Sequence, residues 1–157
     1  RRRNLKGLVG VVHDLLEFPW PIESRSVGRA RCSHFFEHVP ARLRPAFMNE
    51  LWRILAPGGT ADFYTPLGLW RQCQDLSHEW PPIVPASYFY FNSDWLEAWG
   101  LEHYRELHGI ACDFEVDVAG LAMSEAFRGA DPATVGDLAR HTLNAADDLQ
   151  VRLTKRG

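Results

Sequence analysis

The chain is poor in sulfur, with three cysteines and two methionines in 157 residues. Cys32, Cys73 and Cys112 are odd in number and widely spaced, which argues against a disulfide framework and for a reducing, cytoplasmic compartment. No apolar run approaches the roughly 18 residues that cross a bilayer, and no leader of the secretory type opens the sequence. Charge of one sign is also lacking. Lys+Arg number 17 against Asp+Glu 20, a net charge of −3, so there is no strong nucleic-acid signal. The basic residues gather at Arg1–Arg3, Arg25–Arg31 and Arg152–Arg156 and read as solvated stretches. Repeats and low-complexity segments are absent. What is present is an ordinary globular composition, 46% hydrophobic and 24% charged, long enough to bury one core.

Leu8 to Val12 is a short β-branched run and predicts a buried strand with His13 and Asp14 at its end. Phe18-Pro19-Trp20-Pro21 excludes regular helix and predicts an ordered loop with an aromatic anchor. Val27 to Ser33 reads as a second strand. Arg29 and Arg31 alternate there with Ala30 and Cys32, so the arginines need partners or solvent. Ala41 to Leu55 predicts a helix, because Leu43, Phe47, Leu51, Ile54 and Leu55 recur at helical spacing with Met48 and Trp52 beside them. Pro57-Gly58-Gly59 stops it. Thr60 to Thr65 predicts a strand, with Ala61, Phe63 and Thr65 alternating against Asp62 and Tyr64.

Trp70 to Phe91 has no clean period and is rich in Trp, Pro and Tyr, which predicts a long packed insertion. Asn92-Ser93-Asp94 can cap a short helix, Trp95 to Trp99, that Gly100 ends. Ile110 to Val118 and Leu149 to Leu153 predict strands, with a helix at Thr134 to Leu143 between them. This alternation argues for a layered α/β fold with a largely parallel sheet.

The sharpest local string is Ser33-His34-Phe35-Phe36-Glu37-His38. As a bare pattern, His34-x-x-Glu37-His38 is the inverted zinc-hydrolase motif, in which two histidines one helical turn apart grip zinc and the glutamate activates water. It needs a helix through residues 34 to 38 and a third ligand, for which Glu50, Cys73 and His78 are available. Pro40 close behind and a strand immediately before argue against that helix.

A larger pattern includes the same string. Val11-Val12-His13-Asp14-Leu15 precedes Phe18-Pro19-Trp20-Pro21. Then come Ser33 to Pro40, Glu50-Leu51-Trp52-Arg53-Ile54-Leu55-Ala56-Pro57-Gly58-Gly59, and Asp62 to Pro66. In that order and at those spacings the chain resembles class I S-adenosylmethionine-dependent methyltransferases. Asp75 to Pro82, Tyr88 to Phe91 and the closing segment Asn144 to Arg156 are similar to a bacterial and phage branch of that family.

The resemblance implies a Rossmann-like fold, mostly parallel, with a C-terminal antiparallel strand. It implies that residues 1–157 form a single partial domain with an insertion at about 67–104. The family's first two strands and glycine-rich turn have no counterpart before Leu8. Gly28, Arg29 and Arg31 also depart from the family, which usually has an acidic residue there. The cofactor implied is S-adenosyl-L-methionine. His13, Asp14 and Leu15 would lie at its adenine, Ser33 and His34 at its methionine part, and Glu37 beside them. His38 would face the acceptor as a base. No metal is required by these motifs, and the acceptor is not named by them. A degenerate module that docks on a partner is the non-catalytic alternative.

Overall fold

The computed structural model describes residues 10–67, 73, 75–131, 134, 137 and 145–157. Four strands form one sheet: β1 Val27–Ser33, β2 Leu55–Pro66, β3 Phe114–Met123 and β4 Ala146–Lys155. Their order is β1-β2-β4-β3. β1 and β2 are parallel, and β4 lies antiparallel to both β2 and β3. Three strands therefore share one direction, and the antiparallel strand expected at the C-terminus is inserted between two of them.

Helix α1, Arg44–Ile54, follows a 3₁₀ turn at Ala41–Leu43 and lays Phe47, Met48, Leu51 and Ile54 on the sheet. Pro45 sits in its first turn, where its missing N–H costs nothing. Lys155 closes the other end, its ammonium donating to the carbonyls of Trp52 and Leu55 at 2.8 Å each. The helix ends at Ile54, and Leu55 is already extended. Between Val27 and Arg29 of β1, β2 advances from Leu55 to Thr60, so Ala56 to Gly59 form an excursion from the ladder. Gly58 has φ +70°, and a Cβ on Gly59 would lie 2.8 Å from the Ala56 carbonyl oxygen. The Pro-Gly-Gly sequence is thus dictated by a turn and a close backbone approach.

The arginines of β1 have partners. Arg29 donates to Asp62 Oδ2 at 2.6 Å, and Arg31 lies over the Tyr64 ring at 4.5 Å. Arg152 of β4 donates to the other oxygen of Asp62 at 2.7 Å. Asp62 is 1% exposed despite lying on the polar side of the strand's alternation, because these arginines cover it. The Arg152 hydrogen bond, then that of Arg29, holds its carboxyl below the usual aspartate range. A depressed folded pKa contributes stability above the unfolded value, about 3.9, and loses it as pH falls through the folded value. The urea midpoint is therefore expected to drop as the pH is lowered from about 4. Asp62→Asn should flatten that acid limb while lowering the midpoint at pH 7. An unchanged pH profile in this variant would remove Asp62 from the acid response.

Among the described residues between β2 and β3 are three short helices: α2 Pro85–Phe89, α3 Ser93–Ala98 and α4 His103–His108. Asn92 caps α3 as expected, accepting the Trp95 amide at 2.7 Å, and Gly100 ends the turn with φ +66°. Tyr88 and Phe91 are core residues, whereas Trp80 is largely exposed rather than packed. β3 begins at Phe114, later than expected, because Asn49 of α1 takes the amides of Ala111 and Cys112. Most of the helix expected at Thr134 to Leu143, together with Leu8, Val9 and Trp70, lies outside the described residues.

The strand expected through Val12 is not formed at Gly10–Val12. Val11 and Val12 are exposed, and no strand among the described residues pairs with them. An isolated strand has no ladder to satisfy its amides and no face to bury. Among the described residues no helix is long and apolar enough to cross a membrane.

Candidate functional site

Because β1 and β2 are parallel, their carboxyl ends open on one rim, where open α/β sheets bind ligands. The chain leaves β1 at Ser33, and His34 turns it with φ +50°. A left-handed non-glycine residue costs about 1–2 kcal/mol and is retained only where its surroundings enforce it. Here its amide still donates to the Tyr64 carbonyl at 2.8 Å. A 3₁₀ turn, Phe36–His38, follows. No regular α-helix runs through residues 34 to 38, so the two histidines lack the geometry of the inverted zinc-hydrolase motif.

That tight turn drives Phe36 and Glu37 inward together. Phe36 packs on Phe47, Phe63 and Tyr88 at ring distances of 5.3–5.8 Å. Glu37 is 1% exposed. Its Oε1 lies 3.6 Å from His34 Nδ1 and 3.9 Å from His38 Nε2. Four residues singled out in the sequence, Ser33, His34, Glu37 and His38, are thus gathered at one rim. Beside them Cys32 is a protonated thiol, its pKa pushed up to about 12, first by burial and then by the Glu37 charge.

The loop after β2 comes back over this turn. Glu79 N–H donates to the Glu37 carbonyl at 2.9 Å. The buried Arg44 guanidinium donates to the carbonyls of Val39, Glu79 and Pro81 at 3.1, 3.0 and 2.7 Å. Desolvation lowers its pKa, opposed chiefly by the Glu79 charge. These bonds bring the His78 ring to 4.8 Å from that of His38. His38 Nδ1 lies 3.1 Å from the Ser77 carbonyl oxygen. Asp75 accepts the Ser77 hydroxyl at 2.6 Å and amide at 2.9 Å, bonds that keep its carboxyl below the usual range. Its Oδ2 is 3.9 Å from His78 Nε2. This convergence depends on the loop path, and its only signal in the sequence is a histidine beside Asp75. A separate cleft of about 330 Å³, lined by residues including Pro45, Tyr90, Tyr104 and Ile110, shares Phe36, Arg44 and Pro81 with this neighbourhood.

The other expected site residues lie elsewhere in the chain's economy of bonds. With no strand at Gly10–Val12, Asp14 does not stand at the carboxyl end of a described strand. Its Oδ1 accepts the Leu16 amide at 2.9 Å, and its carbonyl accepts the Glu17 amide at 3.0 Å. Such an Asx turn is local backbone chemistry. His13 Nε2 donates to the Glu17 carbonyl at 2.9 Å, and Leu15 is exposed while its carbonyl accepts Trp20 Nε1–H at 3.0 Å. The rim at Ser33 and His34 offers exposed polar groups of the kind a cofactor's amino-acid end needs. Asp14 is held by these local bonds and follows residues, Gly10–Val12, that are not in a strand.

No model of a known protein family matches this sequence, and no curated protein matches it. Solved structures do. An S-adenosylmethionine-dependent methyltransferase from Archaeoglobus fulgidus superposes with a TM-score of 0.58 at 14% identity, over 92% of this chain and 66% of its own. The chain thus spans about two-thirds of that protein's length. An S-adenosylmethionine-dependent methyltransferase from Mesorhizobium loti aligns over 91% of this chain and 67% of its own, at 16% identity and a TM-score of 0.47, which adds no weight. At these identities the likeness concerns the fold alone, and that fold is the Rossmann-like one of methyltransferases.

Proposed function

We propose that the chain is the C-terminal part of a class I methyltransferase domain of the bacterial and phage type. In the intact domain it takes part in methyl transfer from S-adenosyl-L-methionine to an acceptor. The observation that carries this reading is the sheet itself. The order β1-β2-β4-β3, with an antiparallel strand between two like-directed ones, is the arrangement superposed on the Archaeoglobus fulgidus enzyme. The parallel rim at Ser33 and His34 is the natural place for the methionine end of the cofactor. Glu37 supports that turn from beneath. His38, about one-third exposed, faces the acceptor side and serves as base. Residues 67–104 are the insertion, of which the described loop from Asp75 to Pro81 covers this side, and the reducing cytoplasm is the setting for the chain's free thiols. Methyl transfer of this class depends mainly on holding acceptor and donor in line.

The strand that would carry Asp14 to the adenine is not formed at Gly10–Val12, so these 157 residues alone should bind the cofactor poorly. Calorimetric titration with S-adenosylhomocysteine tests this. A version extended by the coding sequence upstream of Arg1 should bind saturably, and the 157-residue chain at least about tenfold more weakly, a difference of ~1.4 kcal/mol. Failure of the extended version to bind would refute methyl transfer. Equal binding by both would refute the assignment of a missing half.

A further inference from the structure

Glu37 has a feature that cofactor binding does not use. Among the described residues neither of its carboxylate oxygens has a hydrogen-bond partner, although both are buried. A buried carboxylate left so is costly, and such groups are usually paired or bound to a cation. Ring nitrogens face Glu37 Oε1: His34 Nδ1 at 3.6 Å and His38 Nε2 at 3.9 Å. One ligand atom each from Glu37, His38 and His78 lie within 4.8 Å of one another.

The surroundings of His38 sharpen this. His38 Nδ1 has both Ser77 oxygens in reach, the carbonyl at 3.1 Å and the hydroxyl at 3.2 Å; the hydroxyl's proton goes to Asp75 at 2.6 Å and a carbonyl only accepts, so Nδ1 carries the proton. In the neutral ring Nε2 is then a bare lone pair, and Nε2 is the atom that faces Glu37. A backbone carbonyl fixing the far nitrogen of an imidazole is how metal-ligating histidines are oriented. The loop carrying His78 is held by Arg44 and by the Glu79–Glu37 backbone bond, so the third donor is positioned by buried groups.

We propose that Glu37, His38 and His78 form a binding site for one divalent first-row cation, of which zinc is the best match. Two imidazoles and one carboxylate suit zinc and its neighbours far better than magnesium or calcium, which prefer all-oxygen shells. Donor atoms around tetrahedral zinc lie about 3.4 Å apart, given bonds of about 2.1 Å. The 3.9 Å between Glu37 Oε1 and His38 Nε2 closes to that by a small side-chain adjustment. Three protein donors leave a fourth position open to water or another oxygen ligand. The set differs from the inverted hydrolase motif: Glu37 is a ligand, and His78 arrives from a separate loop.

The test is a titration of the chelator-treated 157-residue chain with zinc chloride by calorimetry, and with cobalt chloride by visible absorption. It needs neither cofactor nor acceptor, and because the cation takes the Nε2 lone pair, His38 is a base for methyl transfer only in the metal-free chain. One equivalent is expected to bind. The cobalt form should show tetrahedral d–d bands without the near-ultraviolet thiolate band that a cysteine ligand gives. Glu37→Gln, close to isosteric, and His38→Ala, at a partly exposed position, should each weaken binding at least about 100-fold. His103→Ala on α4 should bind as the parent does. Far-UV circular dichroism shows whether each variant is folded, and if Glu37→Gln is not, His38→Ala decides. No saturable binding by the parent chain, a thiolate band, or unchanged affinity in His38→Ala would each overturn the site.

Discussion

Phe63→Ala is expected to destabilise the chain by about 3–5 kcal/mol, the range for removing a fully buried aromatic ring. Phe63 sits at the middle of β2, paired with Cys32 of β1 and Val151 of β4, and it is wholly buried. Its ring meets Phe36 edge-on at 5.3 Å and Tyr88 at 5.4 Å. Phe36 continues to Phe47 and Phe47 to Trp20, so one aromatic chain ties the 3₁₀ turn, α1 and the 18–22 loop to the sheet. Loss of the ring leaves a cavity that two strands and a helix cannot collapse together. At roughly 2–4 °C per kcal/mol for a chain of this size, the thermal midpoint should fall by roughly 10 °C. Phe63→Leu should lose much less. A shift in urea midpoint equivalent to under ~1 kcal/mol for Phe63→Ala would mean that the core repacks.

Glu50→Ala should cost about 2–3 kcal/mol, somewhat below the range for a fully buried ion pair because Arg53 is about a third exposed. Glu50 Oε1 accepts the Trp20 amide at 2.6 Å, and Oε2 accepts Arg53 Nε–H at 2.8 Å. Arg53 goes on to the carbonyls of Trp20 and Ile22 and to the Ser24 hydroxyl. One i,i+3 pair on α1 therefore holds the whole approach to β1. Without the carboxylate the Trp20 amide is left without its acceptor, and Arg53 loses the hydrogen bonds that fix its direction. Those bonds hold the Glu50 carboxyl below the usual range, so the contribution is present above the ordinary glutamate pKa and lost as pH falls through the lower folded value. A double-mutant cycle with Arg53→Ala, read by urea unfolding, isolates the pair. A coupling near zero would show that the loop is held by Trp20 packing alone.

Both residues were visible in the sequence in different ways. Phe63 follows from strict alternation through Ala61, Phe63 and Thr65, and α1 from its apolar spacing. Glu50 and Arg53 were legible as part of a family-like string, but their shared target, the carbonyls and amide of residues 20–22, was not. Asp62 reads as solvent-facing by parity, and only the approach of Arg29 from one neighbour and Arg152 from the other buries it. The strand at Val11 and Val12 has the right composition and, among the described residues, no pairing partner, since β-branched residues supply propensity but not a ladder. The helices α2, α3 and α4 are each too short for a period to register. At the candidate site, Ser33, His34, Glu37 and His38 lie within one string of the sequence. His78 lies forty residues on, and its arrival beside His38 depends on Arg44 hydrogen bonds that composition does not reveal.

The place of β4 in the sheet governs the order of events during synthesis. β2 is complete at Pro66, yet its neighbour on that side begins at Ala146. At translation speeds of about 5–20 residues per second, the bare edge of β2 waits roughly 4–16 s for the strand that covers it. During that interval an apolar, ladder-ready edge is open to any passing extended segment. Ribosome pausing within residues 67–145 would lengthen this exposure and favour aggregation over native pairing, whereas synonymous changes downstream of residue 155 would leave it untouched.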